Sequence, residues 1–433
     1  MDKDRRTAFL ILKNIEEKKA WSNIETAKYI QREKSEHPAF IRELVYGILR
    51  NKYLLDYNID KYLKKPKLGV SERLWLRMGF YQLAFMDGVS DYAAINETVE
   101  LARKFKKGSE GFINAVLRNF QRGNCTLKYP EKDQKDYLSV KYSVDRSIAD
   151  LWVKYYGFDR AEEMLFASNT PAPLSIRVNT LKTDPISLVT KLNELGFESE
   201  DKSLLSKDCI YVSGSGLLDT DLYHEGYFSV QGEASQYAVK LLGPKEGSTV
   251  LDLCAAPGGK SCAMAELMKD KGSVLSFDIY DHRISLIEKE AKRLGINIIK
   301  AQFGDGTVYN EKLNSFADYV LADVPCSGLG TLRENPEIKY RKPDEINVQA
   351  AILLNALKYV KPGGFVLYST CTVNPLENEE IIKNCNLIDS SILHGNSYEE
   401  GKNRGYKAIA SRQLLPKAGG HGGFYLCLIK RIF

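Results

Sequence analysis

The sequence predicts a multi-domain chain: an all-α N-terminal domain at 1–125, a linker at 126–144, a small α+β module at 145–230 and a doubly wound α/β domain at 231–433. Three observations predict it. Apolar residues recur at intervals of two to four through the first 120 residues, the spacing of helices that bury one face. That period fails between Asn124 and Pro130, where polar and charged residues take over. After Gln231 apolar runs alternate with helical patterns, the order of a parallel sheet whose ligands lie at the carboxyl ends of its strands.

In the first part Ala8, Leu12 and Ile15, then Phe40, Leu44, Tyr46 and Ile48, then Leu74, Leu76, Met78, Tyr81 and Leu83 mark successive helices. Pro66, Gly69 ahead of Ser71 and Glu72, Asp87-Gly88, and Ser90 or Asp91 before Tyr92 to Phe105 separate them. The aromatic run Trp75 to Phe85 reads as core at helical spacing rather than as a stacking platform. The middle part holds a helix at Arg146 to Tyr156, β-like runs at Leu174 to Val178 and Cys209 to Val212, and a helix at Pro185 to Leu195 closed by Gly196. The last part reads strand Thr249 to Leu253, helix Lys260 to Met268, strand Ser273 to Asp278, helix His282 to Leu294 and strand Ile298 to Gln302. Strand Tyr319 to Asp323, helix Asn347 to Tyr359 and strand Gly364 to Ser369 follow.

With 44% of residues apolar and 27% charged, the chain carries enough material for globular cores. No apolar run approaches the roughly 18 residues of a membrane helix. Met1 to Thr7 is charged with no apolar core behind it, so a cytoplasmic location and no membrane partner are expected; the chain is also expected to be a monomer. The eight cysteines, at 125, 209, 254, 262, 326, 371, 385 and 427, show none of the close pairs of zinc or thioredoxin-type sites, which argues for reduced thiols and no metal. The histidines at 37, 224, 282, 394 and 421 are isolated, and none is assigned to catalysis. Of the 61 basic and 56 acidic residues, 24 and 16 fall in the first 125 positions, leaving 37 against 40. A basic front suits a grip on nucleic acid ahead of a catalytic unit, and equally a solvated helical surface.

The run Val250-Leu-Asp-Leu-Cys-Ala-Ala-Pro-Gly-Gly-Lys-Ser261 is an apolar strand ending in an acidic, glycine-rich turn that opens a helix. It lacks the spaced glycines of a dinucleotide fingerprint and the eight-residue phosphate loop. Asp278 ends the next strand, where an acidic residue reaches ribose hydroxyls in this architecture, and Asp305 follows the third, within reach of an adenine amino group. Either carboxylate alone reads as well as a helix cap. Three successive acidic strand ends favour a nucleoside.

The fourth and fifth strand ends carry Asp323-Val-Pro-Cys326 and Ser369-Thr-Cys371, placing two thiols on the same rim. A thiolate divides a difficult step in two through a covalent intermediate. Beside a methyl donor, alkylation of an unreactive carbon such as cytosine C5 needs that chemistry, and the base must be turned out of any stack.

Asp252 to Ser261 with these two cysteine motifs resembles the RNA (cytosine-5) methyltransferase superfamily, which uses S-adenosylmethionine. Arg333-Glu-Asn-Pro-Glu-Ile-Lys339, Pro375-Leu-Glu-Asn-Glu379 and Gly422-Gly-Phe-Tyr-Leu426 resemble its bacterial 16S ribosomal RNA branch, the RsmB/Sun/Fmu type. The helical front resembles the NusB RNA-binding domain. The resemblance implies a NusB-like domain, a small α+β module and a Rossmann-like methyltransferase domain, with 16S ribosomal RNA as substrate. It implies Cys371 as nucleophile and Cys326 as the group that assists product release. Cys254, Ala255, Ala256, Pro257, Gly258, Gly259 and Lys260 would wrap the methionine part of the cofactor, Asp278 the ribose and Asp305 the adenine. Asp323 would line the join between cofactor and cytosine and hold the base's amino edge or N3, with Lys260 also reaching the base. The thiols of Cys254 and Cys262 themselves read as packing. Arg177, Gln231, Arg333, Lys339 and Arg341 are candidate contacts to phosphate or to the flipped nucleotide, or ordinary surface and strand-end residues.

Three other readings compete. A DNA cytosine-5 methyltransferase would use Cys326 as nucleophile and leave Cys371 idle, which the paired cysteines oppose. A nonenzymatic RNA-binding factor would not need the intact cofactor turn with both thiols. A transfer RNA enzyme would share the catalytic half, and only the resemblance of the helical front favours ribosomal RNA.

Overall fold

The computed structural model describes residues 2–64, 67–341, 348–393 and 405–433; Pro66, Asn347 and His394 lie outside them. The chain forms two compact units, Met1–Thr170 with Thr331–Pro343, and Pro171–Gly330 with Asp344–Phe433.

The first unit is helical: α1 (Lys3–Lys18), α2 (Ser22–Glu33), α3 (Pro38–Arg50), α4 (Lys52–Ile59), α5 (Val70–Phe85), α6 (Asp91–Phe105) and α7 (Glu110–Arg122). Asp2 caps α1 by accepting from the Arg5 amide at 2.7 Å, and Ser90 caps α6. Leu74 to Gln82 of α5 are all buried, as befits a central helix apolar on every side. Its polar members are paired: Arg77 with Asp56 at 2.7 and 2.8 Å, and Gln82 with Arg5 at 2.6 Å. Phe80 stacks on Phe120 at 4.0 Å, and a Cβ at Gly79 would stand 2.4 Å from Leu117. The run from Trp75 is therefore core, apart from exposed Phe85.

Residues 126–144, expected as a linker, contain α8 (Tyr137–Lys141) and bury Leu138, Tyr142 and Val144. Helices α9 (Arg146–Tyr156) and α10 (Phe158–Asn169) belong to the same unit, with Trp152 fully buried. Sparse apolar residues spaced along a polar stretch are enough to dock it.

Thr331–Pro343 is also part of this helical unit, and its packing buries two of the residues expected to contact RNA, Arg333 and Lys339, and leaves Arg341 half-buried. Glu337 accepts from the Ser22 amide at 2.9 Å and its hydroxyl at 2.7 Å. Lys339 is wholly buried and donates to the Tyr142 carbonyl at 3.1 Å and to the Asn169 side chain; burial lowers its pKa to about 7. Tyr340 donates to the Leu49 carbonyl. Arg333 is buried, and Arg341 donates to the Lys19 carbonyl while lying over the Trp21 ring. Lys339 has no exposed surface and Arg333 almost none, whereas Arg341 is half-buried. A basic residue's charge says nothing about whether tertiary packing covers it.

The second unit contains two sheets. β1 (Leu174–Val178), α11 (Pro185–Glu194), β2 (Glu198–Glu200), β3 (Cys209–Ser213), α12 (Asp221–His224) and β4 (Phe228–Val230) build a four-stranded antiparallel sheet in the order β2-β3-β1-β4. After α13 (Glu233–Leu242) come β5 (Thr249–Asp252), α14 (Gly259–Leu267), β6 (Ser273–Asp278), α15 (Asp281–Leu294), β7 (Ile299–Phe303), β8 (Ala317–Asp323), α16 (Val348–Tyr359) and β9 (Val360–Thr370). α17 (Glu379–Lys383), β10 (Ile388–Asp389), β11 (Tyr406–Leu414) and β12 (Phe424–Arg431) complete an eight-stranded sheet in the order β10-β11-β12-β9-β8-β5-β6-β7. Strands β9, β8, β5, β6 and β7 run parallel, while β12 is antiparallel to both β9 and β11. Both faces are covered, with Val320 and Ala322 of β8 in one core and Tyr319 and Leu321 in the other. The strand order reverses between β5 and β8, so the carboxyl ends of these two strands flank the crevice where such sheets bind ligands. Among the described residues no helix is long and apolar enough to cross a membrane, and no group of three metal-ligating side chains is assembled.

Candidate active site

β5 buries Val250 and Leu251 and ends at Asp252, after which the chain turns sharply into α14. Gly258 adopts φ +107°, and a Cβ there would lie 3.0 Å from the Ile287 backbone, so the position needs glycine on both counts. A cavity of about 170 Å³ opens over the turn, lined by Cys254, Ala255, Ala256, Pro257, Gly259 and Lys260 together with Asp252, Asp323 and Gln231. Asp278, at the end of β6, accepts from the Ala256 amide at 3.3 Å and from the Tyr280 amide at 3.1 Å, fastening the turn to the next strand. Asp305 follows β7, and one of its oxygens accepts from the Thr307 amide and hydroxyl at 2.8 and 2.7 Å.

Arg177, expected as a candidate RNA contact, is buried. It is 4% exposed on β1, forms a two-pronged ion pair with Glu266 of α14 at 2.9 Å, and donates to the Gly259 carbonyl at 2.8 Å and to Gln231 at 2.5 Å. Its guanidinium braces the start of α14 from beneath. Gln231 is held by the same group and also lines the cavity.

Asp252 is 1% exposed; one oxygen accepts from Ser261 at 2.6 Å and the other, Oδ1, has no hydrogen-bond partner. Burial raises its pKa to about 7. The native state therefore holds this proton above the unfolded value of about 3.9. The resulting stabilisation is complete below that value and is lost as pH rises through 7. We expect Asp252→Asn to flatten the fall in melting temperature of the free protein between pH 5.5 and 8; parallel wild-type and variant curves would refute it. Burial and the charges of Asp252, Asp323, Asp278 and Asp305 together push the Cys254 thiol well above its ordinary value. Four carboxylates thus converge on the turn.

The cysteines following β8 and β9 meet: Cys326 Sγ and Cys371 Sγ are 3.4 Å apart. The hydrogen bond from Cys326, aided by the Lys260 ammonium, holds Cys371 below the usual thiol range against burial and the Asp323 charge. The same hydrogen bond, burial, and the charges of Cys371 and Glu377 push Cys326 well above it. Asp323 accepts from Lys260 Nζ at 2.6 Å and from Ser369 Oγ at 2.7 Å, which fixes its carboxylate between the turn and the thiols. Behind them Gly330 donates to the Cys371 carbonyl at 3.0 Å, and a Cβ on it would come within 2.0 Å of the Gly423 carbonyl oxygen. The arrangement offers two adjacent sulfurs, of which the surroundings favour ionisation of Cys371, and a fixed carboxylate beside an acidic cleft.

Sequence reasoning gave no role to the Arg177–Glu266 brace or to Glu377, which accepts from both the amide and hydroxyl of Ser327. The Pro375-Leu-Glu-Asn-Glu379 run was visible as a motif, but its partner residue lies 50 positions earlier.

A doubly wound sheet with this acidic, glycine-bearing turn at its switch point defines an S-adenosylmethionine-dependent methyltransferase. Residues 239–430 match the family model described as 16S rRNA methyltransferase RsmB/F, residues 2–122 the NusB family, and residues 147–216 the ferredoxin-like domain of RsmF/B-like methyltransferases. The Bacillus subtilis protein named "Probable ribosomal RNA small subunit methyltransferase B" is 34% identical over 99% of this chain and 98% of its own length. The Klebsiella pneumoniae ribosomal RNA small subunit methyltransferase B is 31% identical over 91% of this chain and 90% of its own. The crystal structure of PH0851 covers 100% of this chain and 99% of its own, with a TM-score of 0.78 and 26% identity. The chain belongs to the RsmB/F family of 16S rRNA methyltransferases.

Proposed function

We propose that this chain methylates C5 of a cytosine in 16S ribosomal RNA through a covalent bond between Cys371 and cytosine C6. The observation that carries this reading is the thiol pair, two sulfurs 3.4 Å apart just past the ends of neighbouring parallel strands, beside the fixed Asp323 carboxylate. The family and the names of the relatives support ribosomal RNA as substrate, and the basic N-terminal 125 residues suit a grip on it.

The cleft fits the cofactor. Four carboxylates and an unpartnered buried oxygen of Asp252 suit a cationic sulfonium bearing an ammonium group and ribose hydroxyls. Cys254 to Lys260 would hold the methionine portion, Asp278 the ribose and Asp305 the adenine. When bound, S-adenosylmethionine supplies an electrophilic methyl group.

This chain's residues do the rest. Asp323, held by Lys260 and Ser369, orients the flipped base by its amino edge. The Cys371 thiolate attacks C6, and the electron pair of the C5–C6 bond makes C5 nucleophilic enough to take the methyl group. Once Cys371 is a neutral thioether, the hydrogen bond that raises Cys326 most and the Cys371 charge are both gone, leaving burial and Glu377 to hold it up. Cys326 can then lose its proton to water and remove the C5 proton; the C5–C6 double bond re-forms and Cys371 leaves with its electron pair.

With S-adenosylmethionine and unmethylated 16S rRNA, Cys326→Ala is expected to accumulate a protein–RNA adduct that survives denaturing electrophoresis, and Cys371→Ala to give neither adduct nor product. Loss of the adduct in Cys326→Ala with turnover intact in Cys371→Ala would make Cys326 the nucleophile and DNA the next substrate to try.

A further inference from the structure

Glu377 is 6% exposed, and among the described residues no Lys or Arg ion-pairs with it. A buried carboxylate without a counter-ion is costly unless donors satisfy it. Four do. Oε2 accepts from the Ser327 amide at 2.8 Å and from Gln349 Nε2 at 3.2 Å; Oε1 accepts from Ser327 Oγ at 2.5 Å and from Asn374 Nδ2 at 2.9 Å. The Ser327 hydroxyl spends its one proton on Glu377, so Thr372, 2.8 Å away, donates to Ser327. The backbone carbonyl of Glu377 accepts from Tyr368 at 2.6 Å.

Every group around the carboxylate is a donor, so the site calls for an anion. An amide there would aim its own N–H groups at two of them. The clamp closes on Ser327, the residue after Cys326, while Thr372 follows Cys371, so one network spans the positions next to both sulfurs. Beyond the Cys371 hydrogen bond, burial and the Cys371 charge, the Glu377 charge acts on Cys326, whereas Cys371 faces the Asp323 carboxylate and the Lys260 ammonium. The two thiols are chemically alike, so something outside the pair must break their symmetry.

We infer that Glu377 is a positioning residue that assigns the nucleophile: its buried charge, clamped on Ser327, keeps the shared proton on Cys326 and leaves Cys371 as the thiolate. This rests on Cys371 being the attacking sulfur, but it can be read from the thiols without RNA or cofactor.

The test is site-resolved alkylation of the full-length protein by iodoacetamide across pH 6 to 9, with mass spectrometry counting label on each cysteine. Wild type is expected to label Cys371 ahead of Cys326. E377Q, folded as judged by its thermal transition, is expected to shift the Cys371-to-Cys326 ratio at least tenfold toward Cys326. E377D, which keeps the charge, is expected to retain the wild-type order. Ser327→Ala leaves the charge with one donor fewer and is expected to hold or raise the preference for Cys371, which keeps the inference testable if E377Q does not fold. An unchanged ratio in folded E377Q, or a preference lost in Ser327→Ala, overturns it. Wild type that labels Cys371 first but forms no RNA adduct would instead count against the covalent mechanism and leave the role of Glu377 standing.

Discussion

Lys260→Met is expected to slow single-turnover methyl transfer at pH 7 by about 10²–10³-fold, the usual loss when a preorganised charge is removed from a water-poor site. The ammonium sits 2.6 Å from Asp323 Oδ2 and raises the thiolate population of Cys371. Burial works against the ammonium itself, but Asp323 outweighs it and keeps Lys260 above its ordinary value, so the charge is present throughout the working range. Methionine fills similar volume but carries neither the charge nor the hydrogen bond to Asp323. On the proposed mechanism Cys371 attacks as a thiolate, and with Lys260 gone its pKa rises. The acid limb of the rate profile then moves to higher pH, and raising the pH restores part of the rate. Asp323 keeps its bond from Ser369 but loses its stronger partner, so alkaline conditions do not recover the full wild-type rate. A variant within threefold of wild type with an unmoved acid limb would show that Lys260 is not part of the thiol's environment.

What could be read without the structure follows physical lines. Strand β8 was legible because it is buried on both faces, giving the unbroken run Tyr319 to Ala322. Cys326 and Cys371 were legible as a pair because strand order places both just past parallel carboxyl ends, and the structure sets them 3.4 Å apart. Strand β11 was not legible: Lys407, Ser411, Arg412 and Gln413 break any apolar period, and the segment is a strand because β12 pairs with it from Tyr406 to Leu414. Lys339 misled for a related reason. It looked like a basic surface residue, yet its partners Tyr142 and Asn169 lie 197 and 170 positions away, beyond any local pattern. Arg177 shows the same failure at the site, with Glu266 89 positions off. Periodicity reports which face of an element is buried. It does not report the rare charged residue whose partner arrives from another element.

That buried pair gives the second large effect. Arg177→Met leaves the Glu266 carboxylate, 4% exposed, without its cation. Breaking such a pair costs about 3–5 kcal/mol, which for a unit of this size lowers the melting temperature by roughly 6–20 °C. Replacing both members, Arg177→Met with Glu266→Met, removes the stranded charge and is expected to recover most of that loss, because apolar side chains of similar volume substitute well for buried ion pairs. Function should not recover with it. Arg177 also holds the Gly259 carbonyl and Gln231, and neither contact returns in the double variant. Losing a charged hydrogen bond at the start of α14 is expected to weaken S-adenosylmethionine binding by roughly tenfold or more, read by calorimetry on the double variant. RNA affinity supplies the control. A true phosphate contact would lower the salt-dependence slope by about one when removed, whereas a brace beneath the cofactor turn leaves that slope unchanged. A slope that falls by one would return Arg177 to the RNA-facing role suggested by its charge alone, and a double variant as unstable as the single would show that the stranded Glu266 charge is not what destabilises the single variant.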